Sequence, residues 1–380
     1  MTQYGKHTAP SPRRQGGHTK YSGSAPVEEG YDPLPEADGE RAAVRPSARP
    51  VPRPGRKQSM PLWRMILLDV LAIGVGLNLF ALFHHVLHLE ATSEPVALPS
   101  AAPVYTPAPT PVQSAEEEPE TSPLPLRSGQ FGEKFRDKFT DGEVITTEDS
   151  YRSGNINVTY SHVEQDGIIY NVADVYVSDL RFLRAGMGKD AYNKGSEDLL
   201  VMAQRHEAVA AISGDHYYAR LEGVVARNGV LYRETRFQDV CILMNDGQMV
   251  TLTDAQLDMD SLKATGAWQV WGFGPKLLDN GVVCESFNSD VTRANPRSAI
   301  GYVEPGHYVL VQVDGRIKSS RGMSMTELAQ LFADYGCTAA FNLDGGQSAG
   351  FVWQGELVSY PYGRPVSDMI YVTDFAEEDG

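Results

Sequence analysis

Asn342, Asp344, Gly345, Gly346, Gln347 and Ser348 close the stretch Ala339-Ala340-Phe341-Asn342-Leu343-Asp344-Gly345-Gly346-Gln347-Ser348, where an apolar run gives way to polar groups and two glycines. Asn342 and Asp344 are two residues apart and therefore share one face of a strand. The glycines reach backbone angles closed to other residues and let a ligand approach the main chain. Gln347 and Ser348 bring further hydrogen-bonding groups to the same place. That is the chemistry of a carboxylate and an amide held over a ligand at a sheet edge, although a tight turn with Asp344 capping the next segment uses the same residues.

A second apolar run, Ala208-Val209-Ala210-Ala211-Ile212, ends in the same manner at Ser213-Gly214-Asp215-His216-Tyr217-Tyr218. Asp215 adds a carboxylate and His216 a proton donor or acceptor, while the adjoining tyrosines suit a core or interface histidine equally well. Arginines stand at comparable breaks. Asn295-Pro296-Arg297 opens a strand, Asp314-Gly315-Arg316 closes one, and Arg364 precedes Pro365. Asp314 also fits a plain turn, and Arg364 a structural ion pair.

These positions need strands to carry them. Asn157–Val163 and Ile168–Val177 flank Gln165-Asp166-Gly167 as a hairpin, and further strand pairs surround Asn228-Gly229, Asp246-Gly247 and Asp279-Asn280-Gly281. Ser196 with Glu197 and Asp198 opens a helix running to about Arg205. Ser324-Met325-Thr326-Glu327 is a capping box, so Ser324–Tyr335 is a helix with Leu328, Leu331 and Phe332 inward and Gly336 as its stop. Many hairpins and few helices give an α+β class, a large mixed, mainly antiparallel sheet flanked by helices.

The 380-residue chain carries a net charge of −16. Residues 1–64 nevertheless hold eleven Lys and Arg against six acids, so the acidity belongs to the remainder. An acidic body argues against a nucleic-acid partner. Residues 1–61, rich in Pro, Gly, Arg and Ser, form a disordered basic tail. The nearly continuous apolar stretch within 62–89 is long enough for one transmembrane helix and a lipid partner. Basic residues before it and acids after it place the N-terminus in the cytoplasm and the rest outside. Residues 90–130, rich in Pro and Glu, are a semi-rigid stalk, and 131–380 the folded domain. Cys241, Cys284 and Cys337 are too few for a disulfide framework, leaving either a Cys241–Cys284 bridge or three free thiols. Asp and Asn oxygens suit Ca²⁺, but no EF-hand spacing occurs and no metal or other cofactor is assigned.

In order along the chain, Ala211-Ile212-Ser213-Gly214-Asp215, Phe273-Gly274-Pro275, Asn295-Pro296-Arg297-Ser298-Ala299-Ile300-Gly301, Val313-Asp314-Gly315-Arg316, Ser324-Met325-Thr326-Glu327-Leu328-Ala329 and Asn342-Leu343-Asp344-Gly345-Gly346 resemble the motifs of the phosphodiester glycosidase family. The resemblance covers roughly Tyr151 to Val372. It implies a hydrolase of the bond between a sugar anomeric carbon and a phosphodiester, acting on cell-surface glycans or glycosyl-phosphate polymers. By motif, Asp215, Asn295, Arg297, Asp314, Arg316, Asn342, Asp344, Gly345, Gly346 and Arg364 occupy the family's polar positions.

An anionic phosphate leaves with little help from an acid, so one carboxylate and a set of cations suffice where ordinary glycosidases use a carboxyl pair. Asp344 is the first choice for that carboxylate and Asp215 the second. Arg297, Arg316 and Arg364 would clamp the phosphate, with Asn295, Asp314, Asn342, Gly345, Gly346, Ser348 and His216 binding substrate. Two departures from the family pattern, Ser213 in place of Asn and Gln347 in place of Gly, motivate the alternative of a non-catalytic glycan-binding or envelope-assembly module.

Overall fold

Alternation along single strands decides how the body is layered. In His307–Asp314, Tyr308 and Leu310 enter one core while Val309, Val311 and Val313 enter another, the period of two that a pleated strand imposes. The computed structural model describes residues 61–81, 95–100 and 129–375. All but the last residue of the tail expected over 1–61, and most of the stalk expected over 90–130, lie outside the described residues.

The strand Ala339–Asn342 is the edge of a seven-stranded sheet that continues through Arg297–Glu304, His307–Asp314, Ile168–Val177, Ile156–Gln165, Ser150–Arg152 and Ile145–Thr146. A five-stranded sheet runs Glu356–Leu357, Phe351–Trp353, Ala210–Ser213, Asp368–Val372, Leu183–Met187. A six-stranded sheet centres on Val225–Arg227, Gln269–Trp271 and Val240–Leu243. The shared apolar core takes Phe341 and Leu310 from the first, Ile212 and Ile370 from the second, and Trp271 and Leu243 from the third. Helix Met325–Asp334 covers the other face of the seven-stranded sheet through Leu328, Ala329 and Phe332. Helix Leu199–Arg205 covers the five-stranded sheet through Met202 and Ala203.

The α+β class therefore holds, with four helices among the described residues, but the one large sheet is three, beside a separate two-stranded sheet of Leu278–Asp279 and Val282–Val283. Every strand pairing among those residues is antiparallel. Turn signals fix each hairpin but not which hairpins share an edge, and that is where the expectation and the fold part. Asp314-Gly315-Arg316 closes no hairpin, since His307–Asp314 is already paired on both sides. The helix expected from Ser196 starts at Leu199, capped by the Asp198 carboxylate, which accepts from Leu200 and Val201 N–H. Val96–Ala97, inside the stretch expected as stalk, pairs with Val230–Leu231, and Leu98 is buried. Cys241, Cys284 and Cys337 are all free thiols.

Leu62–Ala81 is a helix whose large apolar side chains between Leu62 and Leu77 are exposed, Leu71 and Leu77 each at 63%. Among the described residues no helix is long and apolar enough to cross a membrane. The span expected over 62–89 runs beyond Ala81 into residues outside the described set.

Candidate active site

The ends of Ala210–Ser213 and Ala339–Asn342 come from different sheets and are sewn together by hydroxyls. The Ser298 hydroxyl donates to the Ser213 carbonyl (2.7 Å), and the Ser213 hydroxyl donates to the Asp344 carbonyl (3.0 Å). The Asp344 N–H completes the seam by donating to the Gly214 carbonyl (2.9 Å). Ser213 thus has a joining role that its departure from the family motif did not announce.

Beyond this seam opens a cleft of about 390 Å³. Asn295, Arg297, Arg316, Asn342, Asp344, Gly345, Gly346 and Arg364 all line it, so eight of the positions singled out in the sequence converge. Gln347 lines it too, together with Arg220, Gln238 and Phe273. Asp215, His216, Asp314 and Ser348 are not in its lining.

Asp344 is 6% exposed. The Arg364 guanidinium donates through Nη2 to both its carboxylate oxygens (3.1 and 2.8 Å), and His216 Nδ1 stands 3.2 Å from Oδ2. Arg364 Nε donates in turn to the Ser348 hydroxyl (2.6 Å). Burial alone would raise the Asp344 pKa. The hydrogen bond and charge of His216, the charge of Arg364 and the Ser348 hydroxyl outweigh it and hold the carboxyl below its ordinary value. His216 and Ser348, though outside the lining, thus act on the cleft through Asp344.

Arg297 is 4% exposed and has no carboxylate partner among the described residues. Its Nε donates to the Met323 carbonyl and its Nη2 to the carbonyls of Val291 and Arg293. Burial, with Arg316 adding to it, lowers its pKa to about 10. Arg316, held at a left-handed φ of 57°, points Nε and Nη2 at Asn295 Oδ1 (2.8 and 2.5 Å). Two guanidiniums held by neutral oxygens on one wall leave positive charge for an anion to answer. Asn342 donates through Nδ2 to the Gly274 carbonyl (2.9 Å), while its buried Oδ1 has no hydrogen-bond partner among the described residues.

Arg220 lies 4.5 Å over the Phe273 ring and 5.4 Å over that of Phe237. As a lone arginine after two tyrosines it carried no spacing signal. Gly345 lets the chain pass Pro296, since a Cβ there would come within 2.5 Å of the Pro296 carbonyl oxygen. Gly345→Ala is therefore expected to destabilise the fold by about 1–3 kcal/mol, read as a lowered denaturation midpoint. An unchanged midpoint would remove this close approach from the account.

Asp215 turns away from the cleft. Its carboxylate accepts from the N–H groups of Gly272 (2.8 Å) and His216 (2.7 Å) and lies 3.5 Å from Arg227 Nη2. Asp368, fully buried, accepts from the Asp215 N–H (2.5 Å) and from Arg227 Nε (2.6 Å). This buried pair of carboxylates around one arginine fixes the turn that presents His216 to Asp344. Sequence reasoning missed it because Arg227 ends one strand and Asp368 begins another far along the chain, with no local pattern to pair them. Asp314 serves its own neighbourhood, accepting from the Tyr360 N–H (3.0 Å) and from Gln312 Nε2 (2.8 Å). Among the described residues no group of three His, Cys, Asp or Glu is gathered for a metal ion.

Residues 206–373 match the family model described as phosphodiester glycosidase. Similar curated proteins include an uncharacterised SPbeta prophage-derived protein of Bacillus subtilis strain 168, 30% identical over 173 residues, 43% of this chain and 27% of that protein. N-acetylglucosamine-1-phosphodiester alpha-N-acetylglucosaminidase of Bos taurus is 42% identical over 76 residues, 20% of this chain and 14% of the enzyme. The matches thus span well under half the length of these relatives. Among solved structures, the zebrafish N-acetylglucosamine-1-phosphodiester alpha-N-acetylglucosaminidase catalytic domain, auto-inhibited by its pro-peptide, is 22% identical with a TM-score of 0.48, over 61% of this chain and 88% of that one. A hypothetical protein from Synechocystis is 17% identical with a TM-score of 0.45, over 60% and 63%.

Proposed function

We propose that this chain, whose residues 206–373 form a phosphodiester glycosidase family domain, hydrolyses sugar-1-phosphodiester linkages in glycans. The observation that carries the proposal is a buried, ionised carboxylate that lines one cleft with two guanidiniums having no carboxylate partner among the described residues. Arg297 and Arg316 hold the phosphodiester oxygens, and their charge grows in value as the departing phosphate gains a full negative charge. Asp344 acts on the anomeric carbon or on the water that attacks it, from a position fixed by Arg364 and His216. No carboxylic acid is asked to protonate the leaving group, whose conjugate acid is already strong. Arg364 moves from the phosphate clamp to the orientation of Asp344, because its Nη2 is spent on that carboxylate. Asp215, with its carboxylate turned inward, positions His216.

The test is release of sugar from synthetic α-glycosyl phosphodiesters, α-N-acetylglucosaminyl among them. Arg297→Met is expected to lower kcat/KM by about a hundredfold, an amount that removal of one charge-assisted contact at a developing anion commands. Arg297→Lys is expected to recover little of this, since an ammonium cannot reproduce the planar fork that spans the Val291, Arg293 and Met323 carbonyls and the cleft. Glycan binding without release of sugar would instead assign the chain to the non-catalytic class.

The domain is further proposed to stand outside a membrane, anchored by the apolar stretch within 62–89, with a surface glycan as its partner. The exposed apolar side chains between Leu62 and Leu77 support this reading, as does the run of basic residues before them and acids after them.

A further inference from the structure

We infer that the cleft continues past Arg316 into a second anion-and-ring subsite, and that the substrate is accordingly a polymer of phosphodiester-linked repeats rather than a single sugar phosphodiester. The inference rests on the glycosidase reading and names the substrate class of that site. Arg316 lines both the main cleft and an open cavity of about 660 Å³ walled by Ile317, Lys318, Ser319 and Tyr360. A smaller depression joins Gln347 and Arg364 of the main cleft to Tyr360 and Tyr362. The three hollows share their walls and make one run along the surface.

Two cations, Arg316 and Lys318, line its second part. Among the described residues neither Arg316 nor Lys318 forms an ion pair with a carboxylate, although the chain as a whole is acidic. An aromatic side chain, Tyr360, shares the cavity wall with them. Tyr360 is 46% exposed, and its ring meets that of Tyr362 with centroids 4.9 Å apart. That face does not float. The Tyr360 N–H donates to both Asp314 oxygens (3.0 and 3.2 Å), while the Tyr362 hydroxyl accepts from the Gly315 N–H and donates to the Gly315 carbonyl (2.7 Å each). Asp314 and Tyr362 therefore lock the aromatic loop to the very turn that presents Arg316. A lone phosphodiester is served by Asp344, Arg297 and Arg316 and leaves Lys318 and the tyrosine face unused. A chain in which anionic links alternate with sugar or polyol units would find in the second cavity both a further cation, Lys318, and a ring, Tyr360.

The test compares two substrates with the full chain, a sugar phosphodiester with a small aglycone and a short phosphodiester-linked oligomer of the same unit. Among the described residues the Lys318 and Tyr360 side chains have no hydrogen bond or ion pair with the groups placed around the scissile bond, which Lys318→Ala and Tyr360→Ala therefore leave in place. Each is expected to lower kcat/KM on the oligomer about tenfold, the size of one charge-assisted or stacking contact, and to leave the small substrate within about twofold. Tyr360→Phe, which keeps the ring, is expected to retain oligomer activity. Equal losses on both substrates, or a wild-type protein with no preference for the oligomer, would overturn the inference. If neither substrate were cleaved, the glycosidase reading would fall alone. Calorimetric binding of the oligomer to wild type and to Lys318→Ala would then decide the subsite, with equal affinities sinking it.

Discussion

Asp344→Asn is expected to lower kcat on a sugar phosphodiester by about a thousandfold or more, the scale of losing a carboxylate that acts in the transition state, with the fold retained. Asparagine keeps the size of the side chain and one oxygen for Arg364 but cannot act as base or nucleophile. Since His216, Arg364 and Ser348 hold the Asp344 carboxyl below its ordinary value against the opposing effect of burial, the wild-type acid limb should lie below the usual carboxylate range. The pH profile of kcat tests this directly. Hydrolysis by the asparagine variant at near wild-type rate would take the chemistry away from Asp344 whatever the family. The profile adds a second check, because a limb at the ordinary aspartate value would mean that the observed partners do not hold the charge in solution.

The second large effect is expected from a residue remote from the cleft lining. Arg227 is 1% exposed, bonds Asp368 through Nε and reaches Asp215 through Nη2. Its Nη1 donates to the carbonyls of Ala226 and Val270. Removing one partner of a buried ionic group costs about 3–5 kcal/mol because the remaining charge has no counterion, so Arg227→Met should lower the unfolding midpoint steeply. The pH dependence has a definite sign. Complete burial pushes the Asp368 pKa up to about 7, with Arg227 opposing and Asp215 adding to the rise. A carboxyl whose pKa is raised on folding contributes stability fully below its unfolded value and loses it as pH climbs through the folded value. Without Arg227 the rise is greater still. The deficit of the variant relative to wild type should therefore be largest above about pH 7 and shrink toward about pH 5, as Asp368 takes up a proton. A difference in midpoint that does not change with pH would show that Arg227 contributes through packing against Tyr217 and Trp271 alone.

Both effects lie at different depths of what could be read from the residues. Asp344 was legible, since Asn342, Asp344 and the glycine pair mark a strand that ends in polar groups, and a short-range pattern suffices to see that. The same holds for the capping box at Ser324 and Glu327, which the structure forms with both hydrogen bonds, and for the hairpins at Asn228-Gly229 and Asp246-Gly247. The Arg227–Asp368 pair was not legible. Its members are 141 residues apart, and within its strand each looks like any polar residue near a turn.

Local sequence thus determined the strands, turns, caps and the family motifs, because propensity and side-chain periodicity act over a few residues. It also singled out the eight cleft-lining positions. Only the tertiary structure decided how the charges pair. It set Arg364 on Asp344, left Arg297 and Arg316 without carboxylates among the described residues, turned Asp215 inward and gave Asp314 to the Tyr360 backbone. The reason is physical. A charge is assigned its role by whichever opposite charge or dipole folding brings within a few ångströms, and by how much water is removed around it. Neither quantity exists until separate strands have been packed edge to edge and face to face.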